Sequence, residues 1–176
     1  NMIKQKIFFI YPKKSDLDSI ESEFLALKEV HKDLDILVKD PFLKISGYNS
    51  DNIANAMKDY IKRADDFAKI NNICDVTVYH QRTPQVDPNT KNLPKPHQYS
   101  IKGGGNIADG TDVVCSYWRP LRETDPKNGR CEIFTQKSKN HDICNLGSLP
   151  IDYDVKTNRY KFSGRDIFDL LIHKKI

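Results

Sequence analysis

The sequence predicts an α/β fold, a mostly parallel sheet with crossover helices that closes in antiparallel strands. Three observations carry the prediction. Short apolar runs at 6–11, 35–39 and 75–79 read as buried strands. Two stretches with helical apolar spacing separate them, and the resulting β-α-β-α-β order demands parallel pairing through crossovers. Later runs at 149–153 and 159–162 flank a turn sequence at 154–158, the pattern of an antiparallel hairpin.

Taken in order, KIFFIY at 6–11 is stopped by Pro12. Ser15 can cap a helix with Asp18 three residues on, and Leu17, Ile20, Phe24 and Leu27 repeat along one face until near His31. DILVK at 35–39 is closed by Asp40 and Pro41, because proline cannot extend a central strand. Asp51 opens a long helix to about Ile70, with Ile53, Met57, Ile61, Ala64 and Phe67 on one face. DVTVY at 75–79 is the third strand. Residues 81–99 hold four prolines and no apolar periodicity, and a loop that long is usually functional or disordered. A short segment to Asp112 follows the glycine run, and runs at 113–118 and 131–136 give a fourth and fifth strand around a polar turn. Residues 164–176 read as a closing helix. No repeat or linker interrupts the chain, so 1–176 reads as a single domain.

The 176 residues carry 28 Lys/Arg against 24 Asp/Glu. Residues 81–140 hold 10 against 6, and the other 116 hold 18 against 18. A local basic surface suits an anionic partner such as nucleic acid or phosphate, although a solvated loop gives the same count. No run approaches the roughly 18 apolar residues of a membrane span, and no leader pattern precedes the first strand, so a cytoplasmic location is expected. Cys74, Cys115, Cys131 and Cys144 show no CxxC spacing. The first three sit in or beside apolar runs, which favours buried reduced thiols over disulfides or a zinc site. Asn1 stands before Met2, as at a cut end, so elements the chemistry needs can lie upstream.

Asp40 and His80 directly follow their strands, where chemistry collects in open α/β sheets. An apolar strand ending in Asp is the pattern of a Walker B site holding hydrated Mg²⁺ beside nucleotide phosphates, and it is also a common turn. A polar residue after the adjacent strand can contact a γ-phosphate, or merely satisfy local hydrogen bonds. Arg82, Lys91, Lys95, His97 and Lys102, with Gly103, Gly104 and Gly105, could follow a phosphate backbone, and Tyr99 could stack on a base. Lys137 and Lys139, after the fifth strand, could reach a neighbouring subunit's nucleotide. No GxxxxGK[ST] occurs, so the chain holds half a nucleotide site.

The segments DILVKDP (35–41), VTVYHQRTP (76–84), YSIKGGGNIADGTDVVCSYWRP (99–120) and IFTQKSKNHDICNLGSLPIDYDVKTNRYKF (133–162) together resemble the RecA-like core of hexameric replicative helicases. The nearest groups are DnaB-like and Twinkle-like helicases and the TOPRIM primase-helicases of phages and mobile elements. The resemblance covers about residues 6–162. It implies an incomplete P-loop NTPase core, the C-terminal part of a RecA-like helicase ATPase domain lacking the Walker A segment. It implies that Asp40 is the Walker B aspartate and metal ligand, and that His80 is the switch residue. Lys102 to Thr111, including Asn106, would be the central-channel loop on single-stranded DNA. Arg119 would be the basic residue after the next strand, and Lys139 and His141 the pair reaching the neighbouring ATP site. His141 stands where an arginine is usual, and a histidine of ordinary pKa is mostly neutral at pH 7. Gln81 and Thr83 also interrupt the family's usual His-Pro-x-Lys.

The resemblance therefore implies a helicase or primase-helicase that uses ATP and Mg²⁺, forms a hexameric ring and moves on single-stranded DNA. This chain alone should neither hold ATP tightly nor hydrolyse it. The alternative is a complete RecA-like nucleic-acid-binding module that has lost its ATPase. A third reading, a metal-dependent nuclease, rests on the D-x-K shapes at Asp125 and Asp154, both in turn-like sequence.

Overall fold

The computed structural model describes residues 7–45, 47, 53–81, 84–101, 105–142, 144–162 and 165–166. They group into two compact units. The first comprises 1–80 and 102–110, the second 81–101 and 111–176.

In the first unit, helix α1 (Leu17–Val30) precedes strand β1 (Ile36–Lys39), and helix α2 (Ile53–Asn71) crosses over to strand β2 (Cys74–Thr77). β1 and β2 pair in parallel, Ile36 opposite Cys74 through Lys39 opposite Thr77. Backbone bonds extend the ladder: Val78 N donates to Lys39 O, and Phe42 N to Val78 O, each at 2.9 Å. The α1 cap is Asp16, one residue beyond the expected Ser15. Asp16 is extended and its carboxylate accepts from Ser19 N at 2.8 Å, which is the geometry a cap requires. Leu17 and Phe24 bury the α1 face as its spacing predicts, and Glu21 joins them by bonding Arg63 of α2. Met57 and Tyr60 bury α2, and Phe42 packs edge-on to the Tyr60 ring at 4.7 Å. Helix α3 (Gly105–Gly110) buries Ile107 and Ala108.

One expected strand is missing. Residues 7–11 form none, and Phe9 and Tyr11 are 78% and 84% exposed. A strand needs a neighbour to bond, and among the described residues β1 pairs only with β2.

In the second unit, β3 (Val113–Trp118), β4 (Arg130–Ser138), β5 (Gly147–Asp154), β6 (Arg159–Phe162) and β7 (Arg165–Asp166) form one antiparallel sheet in that order. The antiparallel part thus begins at β3, earlier than the hairpin the sequence marks. The expected helix from 164 does not include Arg165 and Asp166, whose backbone fills the open edge of β6. Residues 163–164 and 167–176 lie outside the described residues.

The proline-rich stretch is strapped across β3 and β4. Trp118 Nε1 donates to Leu93 O at 3.1 Å, and Gln136 Nε2 to Pro96 O at 2.6 Å. Lys95 pairs with Glu132 at 2.7 Å and lies 4.5 Å from the Phe134 ring centre. Gln81 and Ile101 bridge at the base. Of the cysteines, Cys131 is buried as expected, but Cys74 and Cys115 are exposed. Their strands each keep one open face, so a neighbouring apolar run does not bury them. No helix among the described residues is long and apolar enough to cross a membrane.

Two tests follow from this sheet. At the β5–β6 turn the Asp154 carboxylate accepts from Lys161 Nζ (2.9 Å), Lys156 N (3.0 Å) and Thr157 N (3.3 Å). The lysine above all, and then the amide donors, hold its pKa down to about 2. Folding therefore gains from the ionised form above the unfolded value of about 3.9 and loses that gain as pH falls toward 2. Asp154→Asn should flatten the drop in melting temperature across that window, read by circular dichroism. At Gly129, an added Cβ would run into the Tyr153 carbonyl oxygen, a backbone atom. Gly129→Ala should cost about 1–3 kcal/mol in urea unfolding.

Candidate nucleotide-binding edge

The carboxyl ends of β1 and β2 form one edge, because the two strands are adjacent and parallel. Asp40 and His80 both stand at this edge and both are exposed. Pro41 has no N–H to give, and the next amide, Phe42 N, is already bonded to Val78 O. The edge thus keeps its backbone satisfied and presents polar side chains to solvent.

Beneath it lies a polar network that the apolar reading of these strands passes over. Lys39 Nζ meets Asp75 Oδ2 at 2.6 Å, with the two side chains only 2% and 6% exposed. Thr77 Oγ1 donates to Asp75 Oδ1 at 3.4 Å and shares a 2.7 Å hydrogen bond with Tyr60 Oη. The Lys39 ammonium also lies 5.0 Å from the centre of the Tyr60 ring. Burial, and then the Asp75 charge, push the Tyr79 phenol well above its ordinary pKa. The one available signal in the sequence was a pair of opposite charges in two neighbouring strands, Lys39 in ILVK and Asp75 in CDVT.

No cluster of three or more His, Cys, Asp or Glu able to cage a metal occurs among the described residues. A lone exposed carboxylate at a strand end still suits Mg²⁺, which keeps several waters and takes its other ligands from phosphates. Asp40 fits that role.

The other candidates fall elsewhere. Arg82, Lys102, Gly103 and Gly104 lie outside the described residues. Gly105 opens α3 and Asn106 is half-buried within it. Lys91 is exposed in a turn at φ +58°. Lys95 is engaged by Glu132. His97 accepts from Tyr99 N, and Tyr99 is half-exposed beside it.

In the second unit, Arg119 donates to the Pro126 and Asn128 carbonyls at 3.1 and 3.2 Å, and lies 4.7 Å over the Tyr153 ring. It therefore clamps the β3–β4 turn. Lys137 stands on β4 opposite Val114. Lys139, just beyond, pairs with Asp112 at 2.8 Å, both well exposed. His141 is exposed in the following turn. Asp154 spends its carboxylate on its own turn and Lys161, which leaves nothing for a nuclease metal there. A depression of about 300 Å³ in this unit, walled by Trp118, Cys131, Ile151 and Phe162, includes none of the residues singled out above.

The network makes a sharp prediction. Asp75→Ala leaves an ammonium buried without its partner and should cost about 3–5 kcal/mol in urea unfolding. The double variant Lys39→Met/Asp75→Ala should recover most of that loss, because the stranded charge is gone.

No protein-family model matches the chain, and no curated protein is similar to it. Solved structures are. The ATPase domain of one DnaB-like helicase superposes with a TM-score of 0.68 at 12% identity, over 84% of this chain and 51% of that one. A DnaB-like replicative helicase, solved for its interactions with primase, superposes at 0.65 and 13% identity, over 91% of this chain and 36% of that one. The chain thus spans about half the length of the first and about a third of the second. Its fold is the RecA-like fold of DnaB-like helicase ATPase domains.

Proposed function

We propose that this chain is the C-terminal part of the ATPase domain of a replicative DNA helicase or primase-helicase, inactive by itself. The observation that carries the reading is the placement of Asp40 and His80 at the ends of adjacent parallel strands within this fold. In the whole protein, Mg²⁺ bound with ATP would neutralise phosphate charge. Asp40 would hold that ion through its waters. His80 would sense the γ-phosphate end of the nucleotide and pass its state to the segment after β2. Lys102, Gly103, Gly104, Gly105 and Asn106 would hold the backbone of single-stranded DNA, joined by Arg82, Lys91 and Lys95. From a neighbouring subunit of a hexameric ring, Lys139 and His141 would approach the phosphates, supported by Arg119 and Lys137. His141 would supply less positive charge there than an arginine.

A second reading, a RecA-like nucleic-acid-binding module without ATPase activity, is favoured by one observation. The second unit holds 15 Lys/Arg against 10 Asp/Glu, and the first 13 against 14. Binding of oligonucleotides to the 176-residue chain without nucleotide, weakening steeply with salt, would support it.

The two readings part on Asp40. In the whole protein, Asp40→Ala should lower DNA-stimulated ATP hydrolysis by about 100-fold or more, while leaving the melting temperature nearly unchanged because the side chain is exposed. Unchanged hydrolysis in that variant, or ATP hydrolysis by this chain alone, would count against the helicase reading.

A further inference from the structure

Two cysteines in the second unit meet at one hydroxyl. Cys115 on β3 and Thr135 on β4 are direct cross-strand partners, so their side chains share a face of the sheet. Cys115 Sγ lies 3.7 Å from Thr135 Oγ1. Cys144, from the turn between β4 and β5, brings its Sγ to 3.8 Å from the same oxygen. The sulfurs are therefore no farther apart than those two distances laid end to end. Cys115 is exposed and Cys144 half-buried. Neither remaining cysteine offers such a pairing. Cys131 is buried with its Sγ donating to Ile151 O, and Cys74 belongs to the first unit.

The geometry points to a redox-responsive thiol pair, in which Cys115 and Cys144 close into a disulfide when a peroxide oxidises them. The exposed Cys115 thiolate attacks one peroxide oxygen, the O–O bond breaks, and hydroxide leaves from hydrogen peroxide. The resulting sulfenic acid is attacked at sulfur by the Cys144 thiolate. The S–O bond breaks, the S–S bond forms, and the oxygen departs as water. In balance, two thiols and one hydrogen peroxide give one disulfide and two waters. Such a bond is transient in a reducing compartment, as a switch requires.

The disulfide would tie the turn at 139–146 to β3. Lys139 and His141 sit on that turn, so oxidation would restrain both. An effect on ATP hydrolysis rests on the helicase reading above, whereas the thiol chemistry does not.

The test uses the reduced 176-residue chain and measured additions of hydrogen peroxide, with thiol titration and non-reducing peptide mapping. The expected result is loss of two of the four thiols, with the Cys115 and Cys144 peptides joined within one chain. In Cys144→Ser, dimedone should trap sulfenic acid at Cys115 about tenfold more than in the unaltered chain, because the nearby thiol no longer consumes it. Trypsin cleavage after Lys139 should slow on oxidation and recover with dithiothreitol. No joined peptide, or pairing through Cys74 between chains in its place, overturns the proposal. The unaltered chain decides this even if the variant does not fold. In the whole protein, a joined peptide without any ATPase activity keeps the thiol pair and sinks the helicase reading. ATPase activity without a joined peptide does the reverse.

Discussion

A lysine ammonium buried between two parallel strands has to be met by a negative charge, and the candidate edge depends on that meeting. Lys39 and Asp75 face each other at 2.6 Å with almost no exposure. Leaving either charge alone in that position is costly, so the pair resists any sliding of β1 against β2. A one-residue slip would send Lys39 to the open face and bring Val38 inward, reversing the observed burial pattern. Asp40 is the next residue along the chain, so the buried pair also fixes where the exposed carboxylate stands. Tyr60 and Thr77 tie the same point to the crossover helix. The bond from Phe42 N to Val78 O closes the strand ends behind it. The edge is a polar surface held on a polar foundation, and the apolar core around Phe42, Met57 and Tyr60 surrounds that foundation.

The second unit follows a different logic. Its antiparallel sheet takes most of its tertiary bonds from backbone carbonyls in turns and in the proline-rich strap. Trp118, Gln136, Arg119 and Thr124 each send a side-chain donor to such a carbonyl. Cations that look available in the sequence are consequently occupied. Lys95 is pinned between Glu132 and the Phe134 ring, and Arg119 holds a turn closed. Lys139 is paired only at the surface, where exchanging one partner for another costs little. Of the cations proposed for nucleotide or nucleic-acid contact, those on exposed turns are the ones whose present contacts are easiest to give up.

Much of the architecture was legible. Apolar spacing located α1, α2, β1 and β2, and the alternation of strand and helix gave parallel pairing. The turn sequence at 154–158 gave the β5–β6 hairpin. What was not legible has physical causes. The run at 7–11 has strand-like composition, but composition cannot report whether a neighbour is there to bond it. Carbonyl acceptors leave no mark in side-chain patterns, so the strap over β3 and β4 read as a free loop. Lys39 read as the polar end of a strand because one sequence alone does not reveal the partner in another. The strand-end positions of Asp40 and His80 were readable, since a strand followed by a breaker marks its own carboxyl end. The buried pair supporting them was not. The exposure of Cys115 was also missed, because an apolar run predicts burial on one face of a strand and says nothing of the other.

The central claim is that this edge is one half of a nucleotide site whose phosphate-binding half lies elsewhere in the same protein. The most direct measurement is the coding sequence upstream of Met2, read in frame. The account predicts a strand-like run leading into GxxxxGK[ST] and a helix, the one arrangement that supplies backbone amides and a lysine for the phosphates beside Asp40. An in-frame stop codon and ribosome-binding site immediately before Met2 would contradict it, because the edge would then have no phosphate loop to work with.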